Sequence, residues 1–201
     1  MNPLSMAEMN ALNWIAESFH NEWMDVIMPF ISSLGDKGMI WILVGVMLFL
    51  LGKQEKATGA QVLLALLLSL IFCNLILKNA VDRIRPCDLN TAVDLLVSRP
   101  KDPSFPSGHT SASFAAATVL MLCHSKLRWP AATLAVLMGF SRLYLYVHFP
   151  SDVLVGAGLG IACGVASTRI WKKWLGQRIL PPKKPHNQNK KTPNPGSELN
   201  Q

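Results

Sequence analysis

AQVLLALLLSLIFCNLILK, residues 60–78, carries no charged side chain before its last residue, and the preceding charge is Lys56. As a helix rising ~1.5 Å per residue it extends about 28 Å, close to the ~30 Å hydrocarbon core of a bilayer. Four more apolar runs flank it, at residues 39–52, 111–123, 129–147 and 153–170. Two of them are short for a span and need flanking residues or local thinning to reach across. In a 201-residue chain that is 50% apolar and 15% charged, these runs predict an all-α, polytopic membrane helical bundle with about five transmembrane helices.

Before these runs the pattern changes. Leu12, Ile15, Phe19, Trp23, Val26, Phe30 and Leu34 recur at steps of three and four, with Glu17, His20, Asn21, Glu22 and Asp25 on the other face. This predicts an amphipathic helix, with a break expected near Pro29. Its carboxylates make spanning costly, so an interfacial position is expected, with a sixth span as the alternative. The expected organisation is an N-terminal interfacial segment 1–37, a transmembrane core 38–171 and a tail 172–201.

The net charge of +7 comes from the C-terminal end. Eight Lys/Arg from Arg169 onward face Glu198 alone, while residues 1–168 hold eleven basic and eleven acidic residues. From Pro181 the chain is Pro-, Lys- and Asn-rich, a composition expected to be disordered. Beside a membrane helix this charge reads as a cytoplasmic topology signal that contacts anionic lipid headgroups, not as a nucleic-acid site. No Lys or Arg precedes Lys37, so the positive start of a cleavable signal is missing. Cys73, Cys87, Cys123 and Cys163 form no CxxC pair, and neither a metal site nor a disulfide framework is expected.

With the tail inside and five spans alternating, twelve Lys/Arg lie inside and seven outside; without the tail the balance is four against seven. Three polar clusters then fall together at the extracytoplasmic face. KNAVDRIRP (78–86) places Lys78 and Arg85 seven residues apart, on one face if the helix continues, and Pro86 is expected to end it. PSGH (106–109) opens a helix at Ser107 and Gly108, where free N–H groups and the positive helix end suit an anion. SRLYLYVHFPSD (141–152) sets His148 and Asp152 four apart, a spacing that lets a carboxylate hold one imidazole nitrogen; Pro150 instead suits the first turn of a new helix. Arg142 adds a guanidinium fork suited to phosphate. Singly, each cluster is compatible with snorkelling cations, an N-cap serine or a boundary ion pair. Gathered at one face, positioned cations, a helix N-terminus and a carboxylate-backed histidine are the requirements of phosphoryl transfer.

In order, these stretches match KxxxxxxRP, PSGH and SRxxxxxHxxxD, and the chain resembles the type 2 phosphatidic acid phosphatase superfamily over residues 38–171. The resemblance implies a lipid phosphatase without metal or other cofactor, working through a phosphohistidine. On that basis His148 is the nucleophile, Asp152 orients it, and His109 protonates the leaving oxygen and later activates water. Lys78, Arg85, Ser107, Gly108 and Arg142 hold the phosphate. Asp82 and Arg83 are expected to be structural, and His20, His124 and His186 to lie outside the site. Bacterial relatives of this size resemble undecaprenyl diphosphate phosphatases. The expected substrate is that lipid diphosphate, then phosphatidylglycerol phosphate or phosphatidate. The non-enzymatic alternative is a protein that binds or transports lipid phosphates. Small residues from Ser111 to Ala117 are expected to let their helix pack tightly, and Gly156, Gly160 and Gly164, spaced by four, to do the same for the last span.

Overall fold

A computed structural model describes residues 3–175. Every regular element among them is helical. In chain order they are α1 (Pro3–Phe19), α2 (Glu22–Leu34), a 3₁₀ turn (Asp36–Gly38), α3 (Met39–Leu50), α4 (Lys53–Ser69), α5 (Lys78–Val81), α6 (Pro86–Leu89), α7 (Gly108–Leu122), α8 (Arg128–Tyr144) and α9 (Pro150–Ile170). A π-helical stretch, Leu70–Leu77, carries α4 directly into α5, and a π-helical turn, Trp171–Leu175, extends α9. The basic tail beyond residue 175, and His186 with it, lies outside the described residues.

Helices α3, α4, α7, α8 and α9 fall on the five apolar runs. Among the described residues two helices are long and apolar enough to cross a membrane, Glu55–Leu89 and Pro150–Trp174, or three if α2 and α3, bent by 45°, form one span. Outward-facing Leu50, Leu75, Trp129 and Leu154 are each more than half exposed, a surface that only lipid covers cheaply. Between the helices lies a small-residue core of Ala65, Ala115, Ala116, Val119, Leu120 and Ala135 around Trp41. Two buried polar contacts cross it, Trp41 Nε1 to Ser113 Oγ at 2.8 Å and Ser69 Oγ to Ser111 Oγ at 2.7 Å. Such bonds leave no polar atom stranded in an apolar layer.

The two helices expected to pack tightly, α7 and α9, pack on each other. A Cβ on Gly160 would stand 2.3 Å from the Ser111 carbonyl oxygen, and one on Gly156 would stand 2.7 Å from that of Ser107. One on Gly164 would meet the Ala115 carbonyl at 2.8 Å. The two backbones therefore touch from the N-terminal end of α7, beside the site, as far as Ala115.

The N-terminal segment departs from expectation in two ways. Its break is at His20–Asn21, where Asn21 in extended conformation caps α2 by accepting from Met24 N, and Pro29 lies inside α2. That break resets the helical phase, so the apolar stripe counted from α1 does not continue. Leu12 and Ile15 are buried, but Trp23, Val26 and Phe30 face outward at 79%, 69% and 63% exposure, while Met28 and Ile31 turn inward. Helices α1 and α2 both pack on α8, and α1 also reaches α9.

The first motif also folds differently from the simple continuation. The helix stops at Val81 because Asp82 takes left-handed angles (φ 46°). Pro86 does not end a helix; it begins α6, with Arg85 as N-cap, since proline's missing N–H costs nothing in a first turn. A helical continuation therefore is not what brings Lys78 and Arg85 together.

Candidate active site

Each motif delivers its side chains through a local backbone device. Widening to π geometry ends at Lys78, whose N–H bonds to Cys73 O, and this extra-residue turn sets the rotation at which Lys78 leaves the helix. Ser107 is the N-cap of α7, and its hydroxyl is committed to Thr110, 2.9 Å from Thr110 Oγ1. Pro150 occupies the first position of α9, so His148 stands just before that helix and Asp152 sits in its first turn, accepting from Phe149 N at 2.9 Å. There the carboxylate also faces the positive helix end.

A cavity of about 950 Å³ opens among these elements. Lys78, Arg85, Gly108, His109, Arg142 and His148 line it, and Asp152 and Ser107 stand behind its wall, fully buried. Six of the eight expected site residues thus meet at one surface. Ser107 is the exception in chemistry, because its hydroxyl serves the helix cap and does not face the cavity. Gly108 is held against α4's π-helical continuation, where a Cβ would come 2.8 Å from Asn74 Oδ1.

His148 Nε2 lies 3.2 Å from Arg85 Nη1. A guanidinium only donates, so Nε2 accepts and the ring proton sits on Nδ1, 3.6 Å from Asp152 Oδ2. Burial, together with the Arg85 and Arg142 cations, pushes the His148 pKa down to about 3 and keeps the ring neutral. A neutral ring with its lone pair toward cations is the state a nucleophile requires. Arg142 contacts Ser32 Oγ through Nη1, while its buried Nε has no protein partner.

Two carboxylates from outside the three motifs also line this site. Asp102 forms ion pairs with Lys78 and, at 2.9 Å, with Arg85, so its carboxylate offsets part of the positive charge that faces the cavity. Partial burial works against its charge, but Lys78 and Arg85 prevail and hold the carboxyl at about 2. Asp36, in the turn between α2 and α3, lies 3.0 Å from His109 Nε2. Ser104 donates to Asp152 Oδ2. Asp102 and Ser104 lie only a few residues before PSGH, a proximity that was the available clue; Asp36 had none.

Arg83, expected to be structural, makes its contacts next to the site: Nη1 donates to Asp152 Oδ1 at 2.6 Å, and the guanidinium lies over the Phe149 ring at 3.9 Å. His20 stays outside the site, stacked on Tyr144 and paired with Asp25, and His124 sits at the C-terminal end of α7. All four cysteines are free thiols. Among the described residues no cluster of His, Cys, Asp or Glu has the form of a metal site.

Comparison with known families matches residues 58–175 to the model of the PAP2 superfamily. The chain belongs to the PAP2 superfamily. It is similar to an undecaprenyl-diphosphatase of Sulfolobus acidocaldarius, 30% identical over 145 residues, which cover 72% of this chain and 69% of that one. An undecaprenyl-diphosphatase of Bacillus subtilis is 30% identical over 149 residues, covering 73% and 75%. Among solved structures, a transmembrane PAP2-type phosphatidylglycerolphosphate phosphatase from Bacillus subtilis superposes with a TM-score of 0.69 at 26% identity, covering 87% of this chain and 89% of that one. This PAP2 protein is therefore a phosphatase, and its apolar helices make it an integral membrane protein.

Proposed function

We propose that the protein hydrolyses undecaprenyl diphosphate to undecaprenyl phosphate at the extracytoplasmic face of a bacterial membrane, through a phosphohistidine on His148. The observation that carries the reading is the cavity itself. Its lining combines His148, Lys78, Arg85 and Arg142 with the apolar side chains of Ile42, Leu63, Leu66 and Leu67. A phosphate pocket continuous with an apolar wall suits an amphiphile whose headgroup reacts while its tail stays in hydrocarbon.

In this mechanism His148 Nε2 attacks phosphorus and forms an N–P bond as the P–O bond to the leaving group breaks. His109 gives its proton to that leaving oxygen. Lys78, Arg85, Arg142 and the Gly108 end of α7 hold the phosphoryl oxygens. Water then adds to phosphorus and yields its proton to His109. The N–P bond breaks, its electron pair returns to Nε2, and inorganic phosphate leaves. No step draws on a metal or cofactor.

In the proposed orientation α3, α4 with its π-helical continuation, α7, α8 and α9 are the five crossings, and α1 and α2 lie at the membrane boundary beside the site. The tail is cytoplasmic, against anionic lipid. The names of the relatives support a lipid diphosphate first and phosphatidylglycerol phosphate second.

The test is phosphate release by purified protein in detergent with EDTA, offering both lipids side by side. Expected is chelator-resistant turnover, faster on undecaprenyl diphosphate, that falls on the order of 10³-fold or more in His148→Ala. Faster turnover of phosphatidylglycerol phosphate would overturn the substrate. Binding of both lipids without turnover would make this a lipid-phosphate binding protein.

A further inference from the structure

We propose that Glu8, on α1, is a positioning residue for His148, acting through Arg83 and Asp152. Glu8 lies outside the region matched to the superfamily model, in the segment that the sequence pattern assigned to the membrane interface. Yet its side chain is only 7% exposed, and both its oxygens are engaged. Oε2 accepts from Arg83 Nη2 at 2.6 Å, and Oε1 accepts from Ser151 N at 2.9 Å, one residue before Asp152. Arg83 turns its other nitrogen to Asp152 Oδ1 and to Ser151 Oγ, at 2.6 and 2.7 Å. Asp152 spends its second oxygen on Phe149 N, Ser104 Oγ and the Nδ1 side of His148. Charge-assisted hydrogen bonds thus run from α1 to Asp152, whose Oδ2 stands 3.6 Å from His148 Nδ1, a buried nitrogen without a hydrogen bond of its own.

The function of this run follows from its charge. Attack by Nε2, with Nδ1 still protonated, turns a neutral imidazole into a cationic N-phosphoryl ring. Arg85 and Arg142 already face His148, so the added charge is opposed from two sides. Asp152 is the neighbouring anion, and Arg83 cancels it unless Arg83 is itself neutralised. Glu8 supplies that neutralisation. Glu8, Arg83 and Asp152 together carry one net negative charge, and without the Glu8 charge they carry none. The same bonds fix Asp152 in direction, because the fork of Arg83 is held at both ends. A buried carboxylate is expensive to keep and is expected only where it is fully paired. Here the pairing is complete and its far end is the reaction centre.

This inference rests on His148 being the nucleophile, so His148→Ala is assayed beside the other variants. Glu8→Gln keeps an oxygen for Ser151 N and removes only the charge. Lipid phosphate hydrolysis in detergent is expected to lose about tenfold in kcat, with KM within twofold and an unchanged melting temperature. Arg83→Gln is expected to lose more, because Asp152 then loses the fork that fixes its direction, and the Glu8→Gln/Arg83→Gln double variant to match Arg83→Gln alone, because Glu8→Gln keeps the acceptor for Ser151 N and alters only what Arg83 relays. Wild-type kcat in Glu8→Gln, or losses that multiply in the double variant, would overturn the proposal while His148→Ala remained inactive. If Glu8→Gln does not fold, Arg83→Gln decides: an unchanged kcat there overturns the proposal, and a loss in kcat at constant KM supports it. Activity surviving in His148→Ala would instead remove the mechanism on which the proposal stands.

Discussion

Replacing Asp102 by Asn tests whether its carboxylate competes with phosphate for Lys78 and Arg85. The carboxylate bridges Lys78 and Arg85, and its side chain is 52% exposed, so a ligand can displace it. An arriving phosphate must break both pairs. At a half-exposed position each is worth roughly 0.5–1 kcal/mol after solvent screening, so the competition amounts to about 1–2 kcal/mol. The amide keeps the shape and loses the charge, while the Asp102 main-chain oxygen still accepts from Arg85 Nε at 2.8 Å. Inorganic phosphate should therefore inhibit Asp102→Asn about 5- to 30-fold more strongly than wild type. The assay is the competitive inhibition constant for phosphate during lipid phosphate hydrolysis in detergent. Its pH dependence follows from the depressed carboxyl, which falls from 3.8 to about 2. The ion pairs are fully formed above about pH 4 and are lost only as pH falls through about 2. The wild-type to variant ratio should accordingly stay flat across neutral pH. An unchanged or weaker inhibition by phosphate in the variant would refute the reasoning, because Asp102 would then be a structural anchor and not a competitor.

Two more predictions concern packing and orientation. Gly160→Ala forces a methyl against the Ser111 carbonyl at 2.3 Å, a backbone atom that cannot swing aside. A loss of about 3 kcal/mol in stability is expected, read as a lower thermal inactivation temperature in detergent, and an unaffected variant would mean that α7 and α9 separate easily. A cysteine introduced at Lys184 should resist membrane-impermeant thiol reagents in intact cells and react after lysis; labelling from outside would invert the proposed topology.

Six of the eight expected site residues could be placed at one cavity from the sequence because their signals are local. Apolar runs state where helices lie, alternation brings their ends to a common face, and the spacing within PSGH or from His148 to Asp152 is fixed by a few backbone angles. Ser107 shows the limit of that logic: its type suits both an N-cap and an anion ligand, and only the position of Thr110 commits it to the cap. Lys78 and Arg85 show another, since both line the cavity but a continuous helix does not join them.

By itself the sequence determined the helical membrane class, the small-residue faces on which two helices pack tightly, and six of the residues that line the cavity. Tertiary structure alone decided what those residues are paired with. Glu8 and Arg83 are 75 positions apart, Asp36 and His109 are 73 apart, and no periodicity or motif spacing carries information over such distances. It also set the phase of α2, because a two-residue break after α1 leaves the helical count free until packing against α8 fixes which face turns inward. The physical reason is the same in each case. Local patterns report the torsional and solvation preferences of neighbouring residues, whereas ion pairs within the site depend on where separate helices end relative to one another.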